Sequence, residues 1–216
     1  MVDLVIFDMD GVLTDSEGLI NEAAVRFYKE LGYDVLPEDF YPFVGTGEDR
    51  YIGGVAEKYG IALNLSEAKK RTYEIYLDLV PSRLKAFPGA VRLTREIRSK
   101  GIKTAVASSA DKIKVNANLN AIGLIPEKDW DLVVSGEMVK RKKPAPDIFL
   151  HAAESLKVSP SRCVVIEDAV HGIEAAIAAG MWCVGVAQTF AKDKLHMASV
   201  VYQDLDGLIF EDLVPK

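Results

Sequence analysis

The sequence predicts an α/β fold: a doubly wound parallel sheet with helices on both faces and a helical block inserted after the first strand. Three observations predict it. Residues Leu4-Val5-Ile6-Phe7 form a short, wholly apolar run of the kind a parallel sheet buries on both faces. From about Ile102 onward, apolar runs of strand length alternate with helical patterns. Between Ser16 and about Leu84 there is no strand pattern, only amphipathic helical segments.

The first strand ends abruptly in Asp8-Met9-Asp10-Gly11-Val12. Gly11 permits a tight turn there, and ligands of open α/β sheets sit just beyond that edge. Asp8 and Asp10 are two apart, so extended backbone projects both to one side. Adjacent carboxylates repel and require a cation or a shared proton; the alternative is a helix cap plus a turn residue. The helical segments then run near 19–31, 50–58 and 66–79, broken by Gly32, Pro37, Pro42, Gly45 and Gly60. This predicts a cap over 16–84, with the core formed by 1–15 plus 85–216. Pro88 opens the next helix and Gly101 closes it. The remaining strands are expected at 102–107, 132–134, 163–166, 183–186 and 199–202, with a helix over 168–179 that stops at Gly180.

At 216 residues and 49% hydrophobic, the chain can bury one large core and a small appended unit. Its net charge of −6 argues against a nucleic-acid surface or an anionic membrane as partner. An anionic small substrate remains compatible, because a metal and a few local cations can invert the field in one pocket. Cys163 and Cys183 lie in apolar strand-like runs and read as buried small hydrophobes. No apolar stretch reaches membrane-spanning length, and Met1 directly before the first strand leaves no room for a signal peptide. A cytoplasmic setting is the expectation, and a plastid one if a transit peptide has been trimmed.

Three further pieces follow the Asp pair, each at a predicted strand end. In Ala107-Ser108-Ser109, a hydroxyl and the N–H groups of a helix start can bind a phosphate oxygen, although Ser108 also suits a helix N-cap. Lys143, before Pro144, can neutralise a nucleophile and a phosphoryl group, whereas Lys140, Arg141 and Lys142 read as a solvated loop. Val164-Val165-Ile166 delivers Glu167-Asp168, and helix capping accounts for Asp168 but not for Glu167. Asp8, Glu167 and Asp168 together offer the hard oxygens Mg²⁺ takes. Phosphoryl transfer needs positioning and charge neutralisation above all, a carboxylate can serve as nucleophile, and a second can carry the proton.

The ordered set Asp8-Met9-Asp10-Gly11-Val12, Ser108, Lys143-Pro144 and Glu167-Asp168 resembles the haloacid dehalogenase superfamily, and within it the β-phosphoglucomutase-like phosphatases with a helical cap. The resemblance spans the whole chain. It implies a Rossmann-like core, Asp8 as nucleophile, Asp10 as general acid/base, and Ser108 and Lys143 as phosphate and nucleophile contacts. It also implies Mg²⁺ held by Asp8, the Asp10 carbonyl, Glu167 and Asp168. Asp10 counts against a dehalogenase or phosphonate hydrolase. The mutases of this group carry a His early in the first cap helix, where this chain has Leu19-Ile20, and a basic residue in the cap loop, where it has Glu48. Hydrolysis of a small phosphorylated metabolite, such as a sugar phosphate, is therefore expected; a phosphomutase and a non-catalytic regulatory module are the alternatives.

Gly45, Thr46, Glu48 and Arg50 of the cap loop, with Ser108 and Ser109, are the expected substrate contacts. Gly45-Thr46-Gly47 follows no strand, so it is not a nucleotide loop. The segments Val44–Glu48, Ala107–Asp111 and Pro144–Phe149 are also similar to the dehalogenase-like domain of a plant thylakoid protein, which implies a plastid relative and a domain of a longer chain. His151, His171 and His196 have no partner at ligand spacing; His171 alone is near enough to the acidic pair to line a pocket. Trp130, Trp182 and the Tyr73/Tyr76 pair read as packing residues, and no protein partner is legible.

Overall fold

The computed structural model describes residues 1–215. Its six strands are β1 (Leu4–Phe7), β2 (Lys103–Ala107), β3 (Leu132–Val134), β4 (Cys163–Glu167), β5 (Trp182–Val186) and β6 (Val200–Tyr202). They pair in parallel in the order β3-β2-β1-β4-β5-β6. The helices in chain order are α1 (Glu17–Glu30), α2 (Glu48–Tyr59), α3 (Leu65–Arg83), α4 (Ala90–Ser99), α5 (Lys112–Ala121), α6 (Pro126–Asp129), α7 (Asp147–Ser155), α8 (Val170–Ala178) and α9 (Phe210–Leu213). This is the doubly wound parallel sheet expected from the alternation of apolar runs, and each strand lies within one residue of its predicted bounds.

β1 is central because it is apolar on both sides, and the period of two divides its side chains between two cores. Val5 and Phe7 join Val106, Val164 and Ile166 on the face covered by Leu93 and Ile97 of α4 and Leu119 of α5. Leu4 and Ile6 join Ala105, Val165 and both cysteines against Phe149 of α7 and Ile173 of α8. Cys163 and Cys183 are buried and unpaired, as small hydrophobes. Trp130 packs edge-on to Phe7 with ring centroids 5.6 Å apart.

Helices α1 to α3 pack on one another around a third cluster containing Leu19, Phe27, Tyr28, Phe40, Ile52 and Tyr76. Tyr28 is anchored there by its hydroxyl, which donates to the Ile52 carbonyl at 2.7 Å. Two helix boundaries differ instructively from the sequence reading. α3 continues through Pro81 to Arg83, because burial of Leu79, Val80 and Leu84 holds the last turn despite the missing N–H. α8 begins at Val170, not Asp168, because the Asp168 and Ala169 N–H groups donate to the Glu167 carboxylate and keep that turn open. Among the described residues no helix is long and apolar enough to cross a membrane.

Register then positions the chemistry. Phe7 lies level with Val106 on one side and Ile166 on the other. The next residues along the three central strands, Asp8, Ala107-Ser108 and Glu167-Asp168, therefore emerge together at the carboxyl edge. The sheet changes winding direction beside β1, and the resulting crevice is where open α/β sheets bind ligands.

Candidate active site

Asp8 is still tied to the ladder, its N–H donating to the Ile166 carbonyl at 2.9 Å. Opposite it stands Lys143, whose ammonium is buried and donates to Asp8 Oδ1, to Glu167 Oε1 at 2.6 Å and to the Ala107 carbonyl at 3.1 Å. Three donors meet three acceptors, so the lysine is held without freedom to turn. The Phe149 ring lies under it, with the ammonium 4.9 Å from the centroid. Burial lowers the Lys143 pKa, but the Asp8 and Glu167 charges outweigh it and hold it above the ordinary lysine value. It remains a fixed cation.

Asp8, Glu167 and Asp168 are all buried, and each offers an oxygen within 4.8 Å of the others'. Burial pushes the Asp8 pKa up to about 8, with Glu167 and Asp10 adding to the rise and Lys143 opposing it. Asp168 is raised for the same reasons: burial first, then Glu167 and Asp8. One lysine does not balance three carboxylates. Two glycines make the crowding possible. A Cβ on Gly11 would lie 2.0 Å from Asp168 Oδ2, and one on Gly172 would lie 1.9 Å from the Glu167 carboxylate. Glu167 has both oxygens engaged, Oε1 by Lys143 and Oε2 by the Asp168 and Ala169 N–H groups at 3.0 and 3.1 Å. The Thr189 hydroxyl lies near Asp168 and opposes part of that rise.

Asp10 stands apart from this trio. Its Oδ1 accepts from the Ser16 hydroxyl and from Asn118 Nδ2 at 3.3 Å, and its Oδ2 faces Lys114 Nζ at 3.0 Å. The two aspartates thus line one cleft but answer to different donors. Ser108 and Ser109 line it too. The Ser108 hydroxyl accepts from the Ala110 N–H at 3.1 Å, and the N-cap position of α5 belongs to Asp111, so Ser108 is not that helix's cap. Ser109 Oγ is buried with no partner among the described residues.

The segment between α1 and α2 closes the cleft from the other side. Gly45, Gly47 and Glu48 line it, with Phe43 and Tyr51. Two of the expected contacts do not line the cleft. Arg50 points away from the cleft, forming an exposed ion pair with Glu57 at 2.6 Å and stacking over Phe43, because α2 starts at Glu48 and carries position 50 to its outer side. Thr46 is also absent from the cleft wall, its hydroxyl donating to the Phe43 carbonyl at 2.7 Å within the turn. Among the described residues no histidine lines the cleft, His171 included. Tyr73 and Tyr76 are buried among helices α1 to α3 as packing residues, but their hydroxyls reach out of that cluster: Tyr73 accepts from the Asp111 N–H at 3.3 Å, and Tyr76 donates to Asn118 Oδ1 at 2.8 Å.

Sequence reasoning missed Lys114, Asn118 and Glu17. Lys114 is 3% exposed and bridges Asp10 and Glu48, at 3.0 and 3.2 Å. A signal for it was present: Lys114 and Asn118 are spaced i, i+4 on the inward stripe with Val115 and Leu119. Glu17, in the first turn of α1, lines the same region, and burial, followed by Asp10, Glu48 and Asp15, pushes its pKa up to about 7 against the pull of Lys114. A carboxyl raised above its unfolded value contributes stability below that value and loses it as pH climbs toward the folded pKa. Glu17→Gln should therefore gain melting temperature relative to the parent at pH 8 and gain little at pH 4.5. Melting scans in EDTA check this, and a larger gain at the acidic end would refute it.

The central carboxylate, its lysine, the second aspartate and the acidic strand end on this sheet define a class, the haloacid dehalogenase-like hydrolases. The profile described as "haloacid dehalogenase-like hydrolase" matches residues 2–180, and the chain belongs to that family. It is an enzyme of this hydrolase group, with phosphatases among its relatives. The chain is 46% identical to Protein SUPPRESSOR OF QUENCHING 1, chloroplastic, of Arabidopsis thaliana, over 99% of this chain but only 21% of that protein. It is 36% identical to the Phosphorylated carbohydrates phosphatase of Thermotoga maritima, covering 83% of this chain and 82% of the relative. The crystal structure of a mutant CbbY from Rhodobacter sphaeroides in complex with xylulose-(1,5)bisphosphate superposes with a TM-score of 0.92 over the whole of both chains, at 26% identity.

Proposed function

We propose that this chain is a magnesium-dependent phosphatase that hydrolyses a small sugar phosphate through a covalent phospho-Asp8 intermediate, with 16–84 acting as a cap on a core of 1–15 plus 85–216. The observation that carries the reading is the buried Asp8, Glu167 and Asp168 trio facing Lys143, with Asp10 set apart on its own donors. The trio suits magnesium: all its donors are hard carboxylate oxygens, and their excess negative charge is otherwise uncompensated. Asp8 and Asp168, with the Asp10 carbonyl, would hold the ion, and Glu167 would orient them. Magnesium bound there supplies the positive charge that lets a phosphate dianion approach these acids.

The residues divide the work. An Asp8 oxygen attacks phosphorus, and the departing sugar oxygen takes a proton from Asp10. Asp10 then removes a proton from water, which attacks the same phosphorus, freeing inorganic phosphate and restoring Asp8. Lys143 offsets charge on Asp8 and the phosphoryl group. Ser108 and Ser109 are placed to contact the phosphate oxygens. A mutase must retain a bisphosphorylated intermediate, and a cap loop offering Glu48 while Arg50 faces outward supports hydrolysis instead. The similarity to a chloroplastic protein of Arabidopsis thaliana supports a plastid setting.

The test is phosphate release from p-nitrophenyl phosphate and from a panel of sugar monophosphates. Turnover should vanish in EDTA and return with magnesium, without any bisphosphate activator. Silence across the whole panel would reject catalysis and favour the regulatory-module alternative.

A further inference from the structure

The cleft is electrically lopsided beyond what the phosphate end explains. Next to Asp10, Glu17 and Glu48 surround a single cation, Lys114, which is itself buried beneath them. Lys114 is fully committed, to Asp10 Oδ2 at 3.0 Å, to Glu48 Oε1 at 3.2 Å and to the face of Tyr76 at 5.6 Å. Glu48 is 5% exposed and lines the cleft, yet its second oxygen, Oε2, is buried without a donor among the described residues. An unsatisfied buried carboxylate oxygen is costly, and in a cleft wall the group that relieves it is one the ligand brings. The upward shift of Glu17 toward neutrality, caused by burial and then by Asp10 and Glu48, reports the same negative field.

We infer that Glu48 is the specificity residue of this cleft: its Oε2 accepts a hydrogen bond from a hydroxyl or ammonium on the leaving group, and its charge excludes a leaving group that carries a second phosphate. The inference rests on the phosphatase reading and deepens it to a substrate class, monophosphates with a donor-bearing, non-anionic leaving group. Lys114 does not counter this, because both carboxylates it touches already neutralise it. Arg50, the other cation of the loop, faces outward and is paired with Glu57.

The experiment compares kcat/KM for fructose 6-phosphate, fructose 1,6-bisphosphate, glucose 6-phosphate, glucosamine 6-phosphate and p-nitrophenyl phosphate. The parent should prefer the monophosphate of fructose to its bisphosphate by at least about tenfold, since placing like charges together across an interface costs several kcal/mol. Glu48→Gln should shrink that ratio by a similar factor and reduce the advantage of the sugar phosphates over p-nitrophenyl phosphate, whose leaving group has no donor. Assayed at pH 8, above the raised pKa of Glu17, Glu17→Gln removes a charge without touching the Glu48 oxygens and should shrink the bisphosphate ratio alone. Glucosamine 6-phosphate running ahead of glucose 6-phosphate marks an ammonium as the donor, and the reverse order marks a hydroxyl; either supports the assignment. A bisphosphate accepted as well as the monophosphate, or ratios unmoved in Glu48→Gln, would overturn it while leaving the phosphatase intact. No turnover of p-nitrophenyl phosphate or any sugar would overturn both.

Discussion

Asp8→Asn should lower kcat by roughly 10⁴-fold or more, the scale on which nucleophile removal is felt in enzymes whose groups act as a unit. The same substitution should raise the melting temperature of the metal-free protein at neutral pH. The two effects have one origin. Asp8 sits in a buried trio of acids served by one lysine, and burial, with Glu167 and Asp10, lifts its pKa from 3.8 to about 8. Because the folded value is the higher one, the stability Asp8 contributes is complete below about pH 3.8 and is lost progressively as pH rises toward about 8. Asn keeps the shape and removes the charge, so its stabilising effect should be clear at pH 7.5 and fade toward pH 4. Calorimetry in EDTA, paired with single-turnover assays in magnesium, checks both halves. Retained turnover would remove Asp8 from the nucleophile's role; a lower melting temperature at pH 7.5 would show that its bond to Lys143 outweighs the repulsion.

Lys143 should respond in the opposite sense. Lys143→Met leaves Asp8 and Glu167 buried without their cation, and removing one partner of a buried ion pair costs about 3–5 kcal/mol. Urea unfolding of the metal-free chain should show that loss, together with near-complete loss of phosphate release. Combining Lys143→Met with Asp8→Asn should restore part of the stability but none of the activity. Coupling between contacting charges amounts to about 0.5–3 kcal/mol. Strict additivity of the two changes would mean that the Lys143 to Asp8 contact does not matter energetically. Lys143 would then act chiefly through Glu167.

How much of this could be read from the chain depends on distance along it. β1 and its acid were legible because a four-residue apolar run ending in Asp carries its meaning locally: both faces buried, one edge chemical. Ser108, Lys143 and Glu167-Asp168 were legible for the same reason, each sitting at the end of an element or beside a proline. Arg50 was misplaced because a loop sequence does not state on which residue its helix begins. A start at Glu48 turns Glu48 inward and Arg50 outward, and those two orientations reverse the electrical sign of that cleft wall.

The parallel sheet and the acids at its carboxyl edge were thus determined by patterns of a few residues, since burial on two faces and the period of two are local properties; the order of its strands was not. What only the tertiary structure decided is which charges meet. Lys114 reaches Asp10 and Glu48 from a helix that begins more than sixty residues after one and a hundred after the other, and Asn118 joins Tyr76 to Asp10 across the two halves of the chain. Such pairings depend on how helices rotate and pack. Packing is settled by the whole set of buried side chains rather than by any one stretch.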